Sequence, residues 1–430
     1  MPTHDQHATR VPSSVGDVPP APIALDRRAF VAAAASLVGA AAIHRPPAVG
    51  ISTGPLASGD DPLGVRADFP IVTGRTFLNS AYIAPIPRQV LAAGHAFLED
   101  KANRPLDVRD LMANNHAVRA QFAQLINASP DEIGLLFSTA EGENIVANGF
   151  DLGPGDNVVI DELHYTSEFV LYRALEKSRG IELRIVKQRD GAVTAADFEP
   201  HVDRRTRIVS VAWVSHQNGF RHDMRPIADL AHANGALFYA DAIQAVGMFP
   251  IDVRAAGVDF LCCGSYKWML AGFGVAPFFI RAELLDRIRL DRFGEFQIEK
   301  ELPDHHYELA TTANRFDYSS RAFGEVYTLG AGLSYLDAVG VARIGAHTIG
   351  LAHRLHDGLV RQGHRMFTPP NNDSSIVAIF VTRPMPDVRA AFETARVVVT
   401  VRNGMARIAP ALFNTTDDVD HCLEVTGRLV

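Results

Sequence analysis

The chain has 430 residues, 47% of them hydrophobic and 21% charged, with a formal net charge of −8. That length allows two domains with sizeable cores. The negative balance, with no basic run or aromatic-basic platform, argues against nucleic acid or an anionic membrane as a partner.

Residues 1–25 are polar and proline-rich, and no packed core is expected of them. Arg27-Arg28 then precede the mildly apolar run VAAAASLVGAAAI at 31–43. A paired arginine, a short apolar stretch and small residues read as a twin-arginine export signal, so the periplasm or the exterior is the expected location, with the cytoplasm as the alternative. The run is too short to span a bilayer comfortably. Residues 1–44 are therefore assigned to signal and disordered extension, and 45–68 to a linker.

Folded sequence begins near Phe69. RTFLNSAYIAPIP gives a short strand and a turn, after which residues 87–127 carry apolar positions at helical spacing. EIGLLFSTAEGENIVANGF predicts a strand at 133–137, a Ser138-Thr139-Ala140 turn, and a helix from Glu141 onward. Hydroxyls and free N–H groups at a helix start favour a phosphate, although Ser and Thr cap many helices with no ligand at all. Further strands are expected at DNVVID, IELRIVKQ, RIVSVAWV and ALFYAD, separated by helices at 166–178 and 226–233. This alternation predicts a mostly parallel sheet covered on both faces.

After residue 281 the pattern changes. RAELLDRIRL reads as helical, 291–318 as irregular and charged, and Val326 to Arg361 as long helices. SIVAIFVT, VVVTVR and ARIAPALFN read as strands, with helices at PDVRAAFETA and at the C-terminus. The expected division is a large domain at 69–310 and a smaller α+β domain at 311–430. His305-His306 has no third ligand at useful spacing, so no metal site is expected. The cysteines, Cys262, Cys263 and Cys422, form no C-x-x-C pair and no disulfide framework.

The stretch 239–281 carries the chemistry. Asp241 closes one apolar strand, Gln244 follows three residues later, and Lys267 closes the next apolar strand before Trp268 and a glycine-containing turn. Functional groups collect at the carboxyl ends of strands in open α/β sheets. An acid and an amine delivered there together fit pyridoxal 5′-phosphate (PLP), whose aldehyde condenses with a lysine and whose ring nitrogen takes an acidic partner. Either residue alone is as readily a helix cap or a solvated strand-end charge.

With these pieces in order, residues 69–430 resemble the class V aminotransferases of PLP fold type I, a family that includes cysteine desulfurases, selenocysteine lyases and isopenicillin N epimerases. The segments FLNSAYIAPIP, FSTAEGENIVANGF, DNVVIDELHYTSEF, VSHQNGFRHDMRPIADLAHANGALFYADAIQAVG, CGSYKWMLAGFG and ARIAPALFNTTDDVD carry the likeness. The resemblance implies a mostly parallel central sheet with helices on both faces and a smaller α+β domain. It makes Lys267 the Schiff-base lysine, with Asp241 at the ring nitrogen and Gln244 at the phenolic oxygen. Tyr165, or His164 beside it, would cover the ring, and His216 stands where relatives often carry asparagine. Thr139 and Ala140 line up with the phosphate turn; Ser265 lies near the family's phosphate-binding serine but one residue nearer the lysine, and Tyr266 stands where many relatives have histidine. Arg407 would hold the substrate carboxylate, with Asn79 as a second substrate-binding residue and Arg402 as a helper. Ser319 or Ser320 would reach a partner's phosphate, implying a homodimer.

The implied activity acts on the amino group and Cα of an amino-acid substrate. Amino transfer is the leading expectation, followed by C–S or C–Se β-elimination, then epimerisation, with a non-catalytic PLP-binding module last. One departure is visible in the sequence. Cysteine desulfurases carry a nucleophilic cysteine on a loop shortly before the carboxylate-binding arginine, but VVVTVRNGMARIAP is short there and has no cysteine.

Overall fold

A computed structural model describes residues 61–430 of the chain. The signal and most of the linker expected at the N-terminus lie outside the described residues. The chain enters through strand β1 (Thr76–Phe77), followed by helices Arg88–Asn103 and Val108–Ile126. The break in the expected helix 87–127 falls where Pro105 forces the preceding Arg104 into extended backbone.

Strand β2 (Ile133–Leu136) runs into helix Thr139–Gly149, which starts two residues before the expected Glu141. Ser138 caps it, its hydroxyl accepting from the Glu141 N–H at 3.3 Å. The chain continues through β3 (Asn157–Asp161), helix Thr166–Arg179, β4 (Glu182–Val186) and β5 (Thr206–Ala212). Helix Met224–Ala233, β6 (Leu237–Asp241), β7 (Phe260–Cys262) and β8 (Ala276–Ile280) complete the sheet.

These strands form a seven-stranded sheet in the order β2-β8-β7-β6-β5-β3-β4. Only β8 runs antiparallel to its neighbours. Side chains alternate along each strand. Val209, Val211, Phe238, Ala240 and Leu261 enter one core, while Ile208, Tyr239, Phe260 and Cys262 enter the core on the opposite face. Both faces are thus covered, as the apolar runs predicted.

Two expectations beyond β8 fail. RAELLDRIRL forms only one helical turn, Ala282–Leu284. The Arg289 N–H donates to Gly149 O at 3.0 Å, and Ile288 packs where Gly149 lacks a side chain, so tertiary contacts displace a regular helix. The stretch read as irregular contains a hairpin, β9 (Ile298–Leu302) with β10 (His306–Leu309). Its strands are largely exposed and charged, so no apolar alternation announces them, and His305-His306 lie exposed at its turn.

The C-terminal part has helices Phe323–Val339, Val341–Arg361 and Met385–Thr394 with strands β11 (Val377–Phe380), β12 (Val397–Val398), β13 (Thr400–Arg402) and β14 (Met405–Ile408). Segments from each side of residue 310 enter the core of the other. β1 pairs in parallel with β12, and Leu78 lies in the C-terminal core beside Val377, Ile379 and Ile408. In the other direction, Val326, Leu329 and Leu333 enter the main core with Val118 and Phe122. The short N-terminal strand satisfies its backbone groups by pairing with β12 in a two-stranded sheet, a partner from the distal end of the sequence.

One glycine fixes the approach of the Asp241 and Lys267 loops. Gly247 has φ +92°, and a Cβ there would lie 2.3 Å from the Trp268 carbonyl oxygen. Gly247→Ala is expected to destabilise the protein by about 1–3 kcal/mol through this clash, read as a lower melting temperature, with a parallel loss of cofactor affinity.

Candidate active site

Lys267 lies five residues beyond β7, in a turn, and does not close the strand itself. The turn is held from within. Ser265 Oγ donates to Gly272 O at 2.7 Å, and the Ala271 N–H donates to Ser265 O at 3.1 Å. The Ser265 hydroxyl proton is therefore committed to shaping the lysine loop. Tyr266 stacks on Phe273 with ring centroids 4.2 Å apart, and Lys267 Nζ lies 5.6 Å from the centre of the Tyr266 ring.

Asp241 ends β6, is 3% exposed, and accepts from the Ile243 N–H at 3.0 Å. Burial raises its carboxyl to about 6, against the opposing pull of that N–H and of Lys267. Burial lowers the Lys267 amine to about 7; Asp241 resists this, while Arg407 and Arg402 add to it. Next to this pair, the Gln244 carboxamide accepts from Trp268 Nε1 at 2.8 Å and donates to Ala81 O at 2.9 Å. The Ala84 N–H donates to Tyr266 O at 3.2 Å, so the segment after β1 is tied across the lysine loop at two points.

Arg407 comes from β14 and is 5% exposed. One of its terminal nitrogens donates to His216 O, and the other lies 3.5 Å from Thr400 Oγ1, which donates to Asn79 Oδ1 at 2.7 Å. Its Nε is buried without a partner, and it makes no ion pair among the described residues. Burial brings the guanidinium down to about 10, with Arg402 adding to the effect. The structure thus brings Asn79, His216 and Arg407 together and adds Thr400. No motif in the sequence distinguishes that residue; its signal is its position directly opposite Arg407 in the β13–β14 pairing.

His164 and Tyr165 separate clearly. His164 is 1% exposed, accepts from the Tyr165 N–H at 2.8 Å through Nδ1, and sits 2.9 Å from Ser210 Oγ through Nε2. Both ring nitrogens are engaged inside the protein, and burial lowers its pKa to about 4. Tyr165 is exposed and meets the His216 ring edge-on at 5.0 Å. His216 is lowered to about 3 by burial and by Arg407, and its Nδ1 is buried without a partner.

At the start of helix Thr139–Gly149, Thr139 Oγ1 accepts from the Gly264 N–H at 2.8 Å, tying this turn to the lysine loop. The N–H groups of Thr139 and Ala140 have no acceptor within the helix, the arrangement an anion prefers. Ser319 and Ser320 are exposed and have no side-chain partner among the described residues.

The chain matches the Aminotransferase class-V family over residues 76–420. It belongs to that family. It is 28% identical over 355 residues to a probable cysteine desulfurase of Methanothermobacter thermautotrophicus, covering 81% of this chain and 88% of that one. In structure it is similar to the apo cysteine desulfurase of Thermococcus onnurineus NA1, with TM-score 0.80, 24% identity, and coverage of 87% and 99%. It is also similar to a lysine-to-alanine variant of C-DES with glycine covalently linked to its PLP cofactor, with TM-score 0.79, 18% identity, and coverage of 85% and 99%. At these identities the two structures speak for the fold, which is that of the PLP-dependent fold type I enzymes. The class-V chain is accordingly a PLP-dependent enzyme.

The residues fit that cofactor. A buried amine faces a buried carboxylate, free helix-start N–H groups lie beside the lysine loop, and two orphaned nitrogens, His216 Nδ1 and Arg407 Nε, remain for ligands. Lys267, Asp241, Thr139 and Ala140 are the groups that would hold PLP here.

Behind Asp241 the class-V chain also buries an acidic pair that its sequence gave no reason to single out. Glu143 and Glu168 are each 1% exposed, and neither has an ion-pair partner among the described residues. Tyr172 OH donates to Glu143 Oε1 at 2.8 Å, and Ser210 and Glu168 also lie within hydrogen-bonding reach of Glu143. Burial raises both carboxyls; Glu143 raises Glu168 further, while hydrogen bonds with Ser210, Tyr172 and Glu168 pull Glu143 back, so the pair retains a proton at neutral pH, held on Glu168. The two glutamates lie on separate helices 25 positions apart, and only the fold makes them neighbours.

Two outcomes follow for the cofactor-free protein. Folded Asp241 keeps its proton up to about 6, whereas the unfolded side chain loses it near 3.8, so wild-type stability falls as pH rises across that window. Asp241→Asn keeps an acceptor for the Ile243 N–H and is expected to be more stable than wild type by about 1–3 kcal/mol at pH 8, the gain vanishing as pH falls towards 4. It should bind PLP more weakly. By the same sign, Glu168→Gln is expected to gain melting temperature relative to wild type as pH is raised from 5 to 8, as calorimetry would show.

Proposed function

We propose that this enzyme removes the amino group of an amino-acid substrate by amino transfer, with Lys267 as the base at Cα. The observation that carries the reading is Arg407, a buried guanidinium with no carboxylate partner among the described residues, near enough to act on the buried Lys267 amine and its acid partner. A substrate α-carboxylate completes it, because a rigid two-pronged donor matches that group. Held there, the substrate presents its Cα–H bond to the Lys267 amine. Burial has lowered that amine to about 7, so a large fraction is unprotonated and able to accept the proton near neutral pH. Bound PLP supplies an electron-poor ring that takes up the electron pair released at Cα, and Asp241 is placed to keep its nitrogen protonated.

His216 is lowered to about 3 by burial and Arg407, so at neutral pH it is a neutral hydrogen-bonding neighbour of the substrate and not a proton donor. A C–S lyase is the second reading, favoured by the relatives named cysteine desulfurase. For persulfide formation on the protein there is no suitable thiol. Cys262, Cys263 and Cys422 are all buried, and burial raises each thiol pKa, which disfavours the thiolate.

A homodimer is part of the proposal. The exposed Ser319 and Ser320 are available to a partner's phosphate, and exposed Tyr82, Phe137 and Phe273 form apolar surface suited to burial between subunits. Export through the Arg27-Arg28 signal is proposed on sequence alone.

The test is a panel of amino acids incubated with the holoenzyme in deuterated water and read by mass spectrometry. Keto acid with aminated cofactor supports transfer; pyruvate with ammonia or sulfide means elimination; deuterium at an inverted Cα means epimerisation. Lys267→Ala is expected to lose the visible band of the lysine-bound cofactor and at least about a thousandfold in turnover. Full turnover in that variant would overturn the assignment.

A further inference from the structure

The β13–β14 hairpin fixes a second guanidinium beside the first. Its register pairs Thr400 with Arg407, Val401 with Ala406 and Arg402 with Met405. The two linking residues, Asn403 and Gly404, both have positive φ, at 51° and 73°. An Asn-Gly pair of this kind makes a tight two-residue turn whose twist matches that of the strands, and it leaves little freedom in register. Directly paired residues share a face, and side chains repeat every second position. Val401, Ala406 and Ile408 therefore point to the C-terminal core, where they pack, while Thr400, Arg402, Met405 and Arg407 share the opposite face. Thr400 and Arg407 show where that face looks, since they contact Asn79 and His216.

Arg402 is thus a diagonal neighbour of Arg407, with backbones roughly 7–8 Å apart. Unlike Arg407, it is exposed, and its side chain makes no hydrogen bond or ion pair among the described residues. The charges acting on this corner do not balance. Lys267 is acted on by Asp241, Arg407 and Arg402, and Arg407 by Arg402 and Tyr165, so Asp241 is the one carboxylate among these groups. Asp241 is committed to the ring nitrogen on the reading above. A substrate carrying only an α-carboxylate would occupy Arg407 and leave Arg402 without a counter-charge.

We infer that the substrate is an α-amino acid with a second anionic group on its side chain, and that Arg402 recognises that group while Arg407 takes the α-carboxylate. The inference rests on the proposed function, and it narrows the substrate class of that site. The shared chemistry is an anion a few bonds from Cα, and either a carboxylate or a phosphate would supply it. Exposure of Arg402 to solvent sets the expected effect at about one charge-assisted hydrogen bond, well short of a buried ion pair.

The experiment titrates the PLP-loaded enzyme and follows the visible absorption of the bound cofactor. Matched pairs separate charge from shape: L-aspartate against L-asparagine, L-glutamate against L-glutamine, and O-phospho-L-serine against L-serine. In at least one pair the acid should bind about tenfold more tightly than its neutral counterpart, and that pair identifies carboxylate or phosphate. Arg402→Gln should bring that ratio close to one, Arg402→Lys should keep most of it, and 0.5 M salt should shrink it in the wild type. Equal binding of acid and neutral partner in all three pairs, or a preference that survives Arg402→Gln, overturns the inference while leaving the Lys267 and Arg407 assignments standing. No spectral response to any amino acid overturns both.

Discussion

The site depends on an unfavourable act of burial. An amine and a carboxylate lie out of water at the ends of two neighbouring strand connections, and each is shifted towards its neutral form. Neither would persist as a charged group unless the surrounding chain held it in place, because removing a charge from water costs more than most single contacts return. What holds them is backbone geometry. The Ile243 N–H fixes Asp241, the Ser265 and Ala271 hydrogen bonds fix the lysine loop, and Gly247 lets the two loops touch. The same strain makes the groups useful, since an amine near neutrality can move a proton that an ordinary lysine would keep.

The second dependence is long-range. Arg407 lies beside the N-terminal segment because β1 pairs with β12 in a separate two-stranded sheet and a parallel bridge joins Asn79 to Ala409, just beyond β14. Asn79, two residues beyond β1, meets Thr400 there, and the segment carrying Ala81 and Ala84 is tied over Gln244 and Tyr266. Residues more than 300 positions apart thereby form one corner.

Several relatives are named cysteine desulfurase, and the stretch where that resemblance would put a nucleophilic cysteine is here the tight Asn403-Gly404 turn. A two-residue turn has no room for a mobile nucleophile. It does present rigid strand residues, and two of these are arginines on the cleft-facing side. On the proposed reading, the same corner recognises charge in place of capturing sulfur.

Asp241 was legible in the amino-acid sequence as the end of an apolar strand, Lys267 as the amine in the turn after the next apolar strand, and Arg407 through the resemblance carried by ARIAPALFNTTDDVD. The parallel sheet was legible because strands buried on both faces read as unbroken apolar runs. The exposed hairpin β9–β10 was not, since charged, solvated strands carry no periodic signal. Nor were Thr400, the buried pair Glu143 and Glu168, or the inward placement of His164 against the outward placement of Tyr165. The sequence by itself determined which side chains could do chemistry, through local pattern and residue type. Only the tertiary structure decided which of them meet, because strand pairing between distant segments and the exclusion of water around a charge are properties of the folded whole.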